Sequence, residues 1–217
     1  MGLELNFNCS YLLQDPSAFQ AVDFKEKIAY QQEITKKVLD KLEIIDPTCI
    51  VAGGACRDWL MQKPATDVDV FISSKSEFSN VDIALRQLKK LGFTNAESAP
   101  YNGLDEQIYR KNPEIAGVIN FWEENVKFQV ILCRKGTFNI VDSFPFGICQ
   151  AWWKPSNYST QIRTTKHFDR SLKYKALVRL QEGYGNDDFF VKKIKEKFPD
   201  WKYYISYDKL AMDLLDN

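Results

Sequence analysis

The chain has 217 residues, 45% hydrophobic and 14% aromatic, with 29 basic and 29 acidic side chains and one histidine. That much apolar material excludes global disorder, and balanced charge gives no general attraction to nucleic acid. A single histidine excludes a multi-histidine metal centre, and five cysteines with no C-x-x-C spacing indicate neither a disulfide framework nor a zinc site.

Residues 1–22 lack periodicity and include Asp15-Pro16-Ser17, which reads as an irregular N-terminal arm. From 23 to 43, Ile28, Ile34, Val38, Leu39 and Leu42 recur at helical spacing, and Asp46-Pro47 ends that helix. A short buried strand is expected over 48–52, a helix over 55–62 after Gly53-Gly54, and a strand over 67–73. The next helix covers 79–91, with Val81, Ala84, Leu85, Leu88 and Leu91 on one face and Gly92 ending it. A strand is expected at 93–96. Residues 100–113 read as a loop, because Asn102-Gly103 and Asn112-Pro113 are turn signals. Two antiparallel strands follow at 118–122 and 126–133, joined through Glu123-Glu124-Asn125, and then an apolar strand at 146–153. Helices are expected near 165–182, 187–198 and 206–215. This order gives an α+β fold, a small mixed sheet with flanking helices and a helical C-terminal lobe. The expected organisation is an arm at 1–22, a main domain at 23–153 and the lobe at 154–217 packed on it. The lobe end is mildly basic, with 13 Lys/Arg against 9 Asp/Glu over 151–217. No apolar run reaches the roughly 18 residues of a membrane helix, and no leader-like start is present, so a soluble, cytoplasmic protein is expected.

Chemistry concentrates between residues 50 and 72. Asp67 and Asp69 lie two apart on an apolar strand, so both carboxylates point to one face and form a cation site. Gly53-Gly54, between the apolar run Cys49-Ile50-Val51-Ala52 and a helix, lets backbone approach a phosphate and offers amides at a helix start. Arg57 and Asp58 sit one turn into that helix. The arginine there suits either a phosphate or an internal ion pair with one of the Asp-x-Asp carboxylates.

Gly53, Gly54, Arg57, Asp58, Leu60, Asp67 and Asp69 match the pattern Gly-Gly-x-x-Arg-Asp-x-Leu, spacer, Asp-x-Asp. On those residues the chain resembles the nucleotidyltransferase superfamily that includes DNA polymerase β. It is nearest to the head domain of class II CCA-adding enzymes and bacterial poly(A) polymerases. The resemblance implies that Asp67 and Asp69 are catalytic and hold Mg²⁺, with two ions possible. It assigns Gly53, Gly54, Arg57 and Asp58 to nucleotide binding, and by position it adds Arg170 and Lys173 on a later helix. The implied reaction moves a nucleoside monophosphate from a nucleoside triphosphate such as ATP to a hydroxyl of RNA or protein.

Two departures stand against it. The strand expected to carry a third carboxylate is Val126-Lys127-Phe128-Gln129-Val130-Ile131-Leu132, where alternation turns Gln129 or Lys127 to the site. Glu123, Glu124 or Asp142 would have to substitute. The segment that touches ribose in the family is echoed only by Phe144-Pro145-Phe146-Gly147-Ile148-Cys149-Gln150, without its Arg, Asp and Asn. The rival reading is therefore a catalytically silent fold used for binding, as an antitoxin or inhibitor. A third reading takes Lys192-Lys193-Ile194-Lys195-Glu196-Lys197 as a nucleic-acid surface, and Trp152, Trp153 and Tyr158 as stacking platforms or core.

Overall fold

Asp46 sets the corner that follows the first described helix. The computed structural model describes residues 16–74, 80–99, 112–134, 136–156, 159–181 and 187–215. Helix α1 (Pro16–Leu42) runs into this corner, where the Asp46 carboxylate accepts from Thr48 N at 2.9 Å, Thr48 Oγ1 at 2.6 Å and Ser73 N at 2.7 Å. The aspartate thus closes its own turn and ties it to the end of a strand. There follow β1 (Ile50–Ala52), α2 (Gly54–Leu60), β2 (Val68–Ser73), α3 (Val81–Lys90), β3 (Glu97–Ser98), β4 (Ile115–Glu123), β5 (Val126–Cys133) and α4 (Phe138–Asp142). A 3-10 turn (Gly147–Cys149) leads to β6 (Ala151–Trp153), β7 (Arg163–Thr164), α5 (Lys166–Tyr174) and β8 (Ala176–Val178). Last come α6 (Asp187–Lys197), β9 (Lys202–Tyr204) and α7 (Tyr207–Leu215).

Seven strands form one mixed sheet in the order β3-β4-β5-β2-β1-β6-β7. Its neighbours are antiparallel except β2 and β5, which run parallel. The β4–β5 hairpin turns at Glu124 and Asn125, both at positive φ (46° and 68°), the two-residue turn whose twist suits the flanking strands. Strand alternation divides the sheet into two chemistries. On one face Val51, Val68, Val70, Phe128, Val130 and Leu132 join residues of α1, α2 and α3 in the main core. On the other face Ala52, Phe71, Ile131, Ile140 and Val141 form a smaller cluster, and the polar side chains of the site stand beside it.

The sequence reading differs from this structure in four places. Residues 16–22 belong to α1 rather than to an arm, and residues 1–15 lie outside the described set. The strand expected at 93–96 is a turn with Phe93 buried, and β3 comes just after it. Of the strand expected at 146–153 only Ala151–Trp153 forms, after the 3-10 turn Gly147–Cys149, and most of the 100–113 loop lies outside the described residues. The helix expected to reach 182 stops at Tyr174, because Lys175 adopts a left-handed φ of 48°, and the chain becomes β8, paired in parallel with β9. The C-terminal part is therefore helices around a two-stranded sheet. Leu177, Ile194 and Phe198 from it enter the main core.

Candidate active site

A cavity of about 500 Å³ opens on the polar face, and Gly53, Gly54, Arg57, Asp58, Asp67 and Asp69 all line it. Asp67 and Asp69 stand at the N-terminal end of β2, their alternation partner Phe71 buried behind them. Asp69 is in register with Gln129 on β5, and Gln129 with Asn120 on β4, so three side chains form a row across three strands. Gln129 donates from Nε2 to Asn120 Oδ1 at 3.2 Å. The place expected for a third carboxylate is thus held by a carboxamide. Glu123 pairs with Lys41 at 3.0 Å and Glu124 with Lys37 at 3.6 Å at the hairpin end, and neither these nor Asp142 lines the cavity. Among the described residues no group of three or more His, Cys, Asp or Glu side chains could hold a metal. Two carboxylates with an adjacent amide still suit a hard cation that takes its other ligands from water and phosphate.

The Gly-Gly turn is more committed than the sequence suggested. Gly53 has φ 81° and ψ −125°, backbone that side-chain-bearing residues rarely adopt, and its amide donates to Ala151 O at 2.8 Å. That amide already closes the sheet to β6. Phe144 packs over the turn, 3.5 Å from where a Gly53 Cβ would stand, and also contacts Phe71 at 5.7 Å between ring centroids.

The internal partner that Arg57 shows is its own neighbour Asp58, where the sequence pointed to Asp67 or Asp69. Arg57 is 6% exposed and donates from Nε to Asp58 Oδ1 at 2.9 Å and from Nη1 to Cys149 Sγ at 3.4 Å. Asp58, 5% exposed, also receives Lys197 Nζ on Oδ2 at 2.5 Å. Burial works against the guanidinium charge. Cys149 and Asp58 more than offset it and hold Arg57 above its ordinary range. Behind the acidic pair, burial and then the charge of Asp69 push the Cys56 thiol far up, so it stays protonated and inert.

Arg170 and Lys173 are not brought to this cavity. Both lie on α5, Arg170 over the Tyr207 ring at 5.8 Å and Lys173 over Tyr174 at 5.0 Å. The cations that do line it, besides Arg57, include Lys127, Lys193 and Lys197. Lys127 was accessible by alternation with Gln129. The two α6 lysines belong to the run that the sequence offers as a nucleic-acid surface, and only their spacing of four beside buried Ile194 hints at a shared inward face. Trp153 is core, packed edge-on against Trp59 at 5.6 Å and bonded through Nε1 to Thr160 O, while Trp152 borders the smaller cluster. Tyr158 lies outside the described residues.

The sheet order, the acidic pair on β2 and the Gly-Gly turn define a nucleotidyltransferase-like fold. Among solved structures it is similar to a tRNA-processing enzyme in an apo form, with 16% identity and a TM-score of 0.53 over 85% of this chain and 46% of that one. It is also similar to a CCA-adding enzyme in complex with ATP (12% identity, TM-score 0.48, 93% of this chain and 42% of that one). A third is the Thermotoga maritima CCA-adding enzyme complexed with tRNA (14% identity, TM-score 0.48, 75% and 36%). The chain spans less than half the length of these proteins, and the likeness is one of fold. No curated protein matches the sequence. Residues 24–174 match the family described as Gabija anti-defense 2 family protein, and the chain belongs to that family. No helix among the described residues is long and apolar enough to cross a membrane.

Proposed function

We propose that this protein counters the defence named in its family's description through a nucleotide-dependent cavity. It binds a nucleoside triphosphate with a divalent cation and transfers the nucleoside monophosphate to a hydroxyl of RNA or protein. The observation that carries this reading is the meeting of Asp67 and Asp69 with Arg57, Lys127 and Lys197 around one cavity of about 500 Å³. That volume lies within the range usual for small-molecule sites. Asp67 and Asp69 would hold Mg²⁺. When bound, the metal lowers the pKa of an attacking hydroxyl and neutralises charge on the departing pyrophosphate. The protein's own part is to orient the triphosphate between carboxylates and cations and to keep water from the acceptor's place. In the transfer the acceptor hydroxyl gives up its proton to solvent, its oxygen bonds to the α-phosphorus, and the bond from that phosphorus to the α–β bridging oxygen breaks, releasing pyrophosphate.

The test is incubation with α-labelled triphosphates and a pool of cellular RNA and protein. Label in one macromolecular fraction with release of pyrophosphate, abolished in D67N/D69N, is the expected result. No labelling by any of the four nucleotides would remove the catalytic reading. Gln129 beside Asp69 favours a second one, in which the same cavity binds nucleotide without turnover and the protein acts as an inhibitor. Calorimetry showing Mg²⁺-dependent triphosphate binding, with no transfer, is the outcome that separates it.

A further inference from the structure

Helix α6 presents two kinds of lysine. Phe190, Lys193, Ile194 and Lys197 line the cavity, and Lys193 and Lys197, four apart, share a helix face. Lys192 and Lys195 do not line it: Lys192 pairs with Glu196 at 3.9 Å, and Lys195 lies over the Tyr203 ring at 4.5 Å. Asp58 fixes the cavity-facing set in place, because its buried carboxylate holds both Arg57 Nε and Lys197 Nζ. Arg57 Nη2 reaches the Gly-Gly turn, 3.7 Å from where a Gly54 Cβ would stand. Arg57, Lys193 and Lys197 thus form a basic wall next to that turn, and with Lys127 the lining cations outnumber the lining carboxylates Asp58, Asp67 and Asp69 by one. A wall of this kind complements an extended polyanion, not a single phosphate.

Resting on the reading of the cavity as a nucleotide site, we propose that Lys193 and Lys197 of α6 bind the distal phosphates of the ligand. Selectivity for a triphosphate over a mono- or diphosphate then comes from α6. The Gly53 amide, already donated to Ala151, contributes nothing to it. The same chemistry predicts affinity for inorganic tripolyphosphate, which carries the charge track without base or sugar.

The experiment is calorimetry of the full chain with inorganic tripolyphosphate and pyrophosphate in the presence of a chelator. Wild type and D67N/D69N should bind tripolyphosphate, the latter at least as tightly because repulsion is removed, and pyrophosphate should bind more weakly. K193Q and K193Q/K197Q should weaken tripolyphosphate binding at least tenfold, whereas K192Q/K195Q should not change it. Lys197→Gln keeps a donor for Asp58, and thermal unfolding verifies that each variant is folded. The single variant K193Q leaves the Asp58 pairs untouched and carries the test if the double variant fails to fold. Absence of tripolyphosphate binding by wild type, or an equal loss in K192Q/K195Q, would overturn the proposal. Tripolyphosphate binding without any Mg²⁺-dependent nucleotide binding would instead sink the nucleotidyltransfer reading and leave this site standing.

Discussion

Asp58 joins two basic side chains that the sequence separates widely, Arg57 next to it and Lys197 far along the chain. Breaking a buried pair from one side leaves a charge without its partner, which typically costs about 3–5 kcal/mol. Asp58→Ala should therefore lower stability by roughly that amount, read as a fall in the urea midpoint with little change in slope. Conversely, Lys197→Gln should cost far less, because Lys197 is partly solvated and Arg57 remains to balance the carboxylate. The second test at this scale concerns Gln129, in register with Asp69 and bonded to Asn120. Gln129→Glu adds an anionic oxygen beside the acidic pair, and Asn120 can rotate its amide to donate to it. Divalent-cation affinity should rise, measured by titration with Mn²⁺. An unchanged affinity would mean that the position does not reach the cation site proposed at Asp67 and Asp69.

At the scale of elements, α5 and α7 meet around the 3-10 turn. His167 stacks on Tyr207 at 4.9 Å between centroids, and Tyr207 Oη donates to the His167 carbonyl at 2.7 Å. Burial, followed by the charges of Lys166 and Arg170, pushes the imidazole below its ordinary pKa of 6.5, with Asp142 pulling weakly the other way. The unfolded chain therefore takes up this proton at higher pH than the folded one. The associated stability is fully present above about 6.5 and is lost as pH falls through the lowered value. Wild type should lose part of its urea midpoint across that window, and His167→Gln should lose less. Equal losses would assign the pH dependence to other groups.

What was legible in the sequence follows from how local the physics is. The Gly-Gly turn, the Asp67/Asp69 pair and the β4–β5 hairpin are each set within a few residues, by alternation or turn chemistry, and the structure forms all three, with the first two around one cavity. The end of α5 was not legible, since Lys175 takes a left-handed conformation with no glycine to announce it. Nor was the partner of Asp58, because pairing with Lys197 exists only once α6 docks.

The whole molecule poses the question of whether residues 23–153 and 154–217 are separable units. Strand β7 extends the main sheet through β6, Leu180 N donates to Pro145 O at 2.8 Å, and Gln181 bonds to the Ser143 carbonyl. Phe168, Leu177, Ile194 and Phe198 lie in the same apolar cluster as Trp59, Phe146, Ile148 and Trp153. A cut after Trp153 would expose those contacts all at once, and each large buried side chain contributes about 1.5–3 kcal/mol of transfer free energy. Lost together, these four come to about 6–12 kcal/mol, comparable with the 5–15 kcal/mol by which a typical domain is stable. The full chain should therefore unfold in a single urea transition, with fluorescence and far-UV circular dichroism coincident. A chain ending at Trp153 should show neither native near-UV signal nor a cooperative transition. Gly147 offers a milder probe of the same union, because a Cβ there would stand 2.9 Å from the His167 carbonyl and 2.8 Å from Tyr207 Oη. Backbone on one side leaves no flexible atom to yield, so Gly147→Ala should shift the whole transition to lower urea, by about 1–3 kcal/mol. Two resolved transitions in that variant would show instead that the C-terminal part comes away by itself.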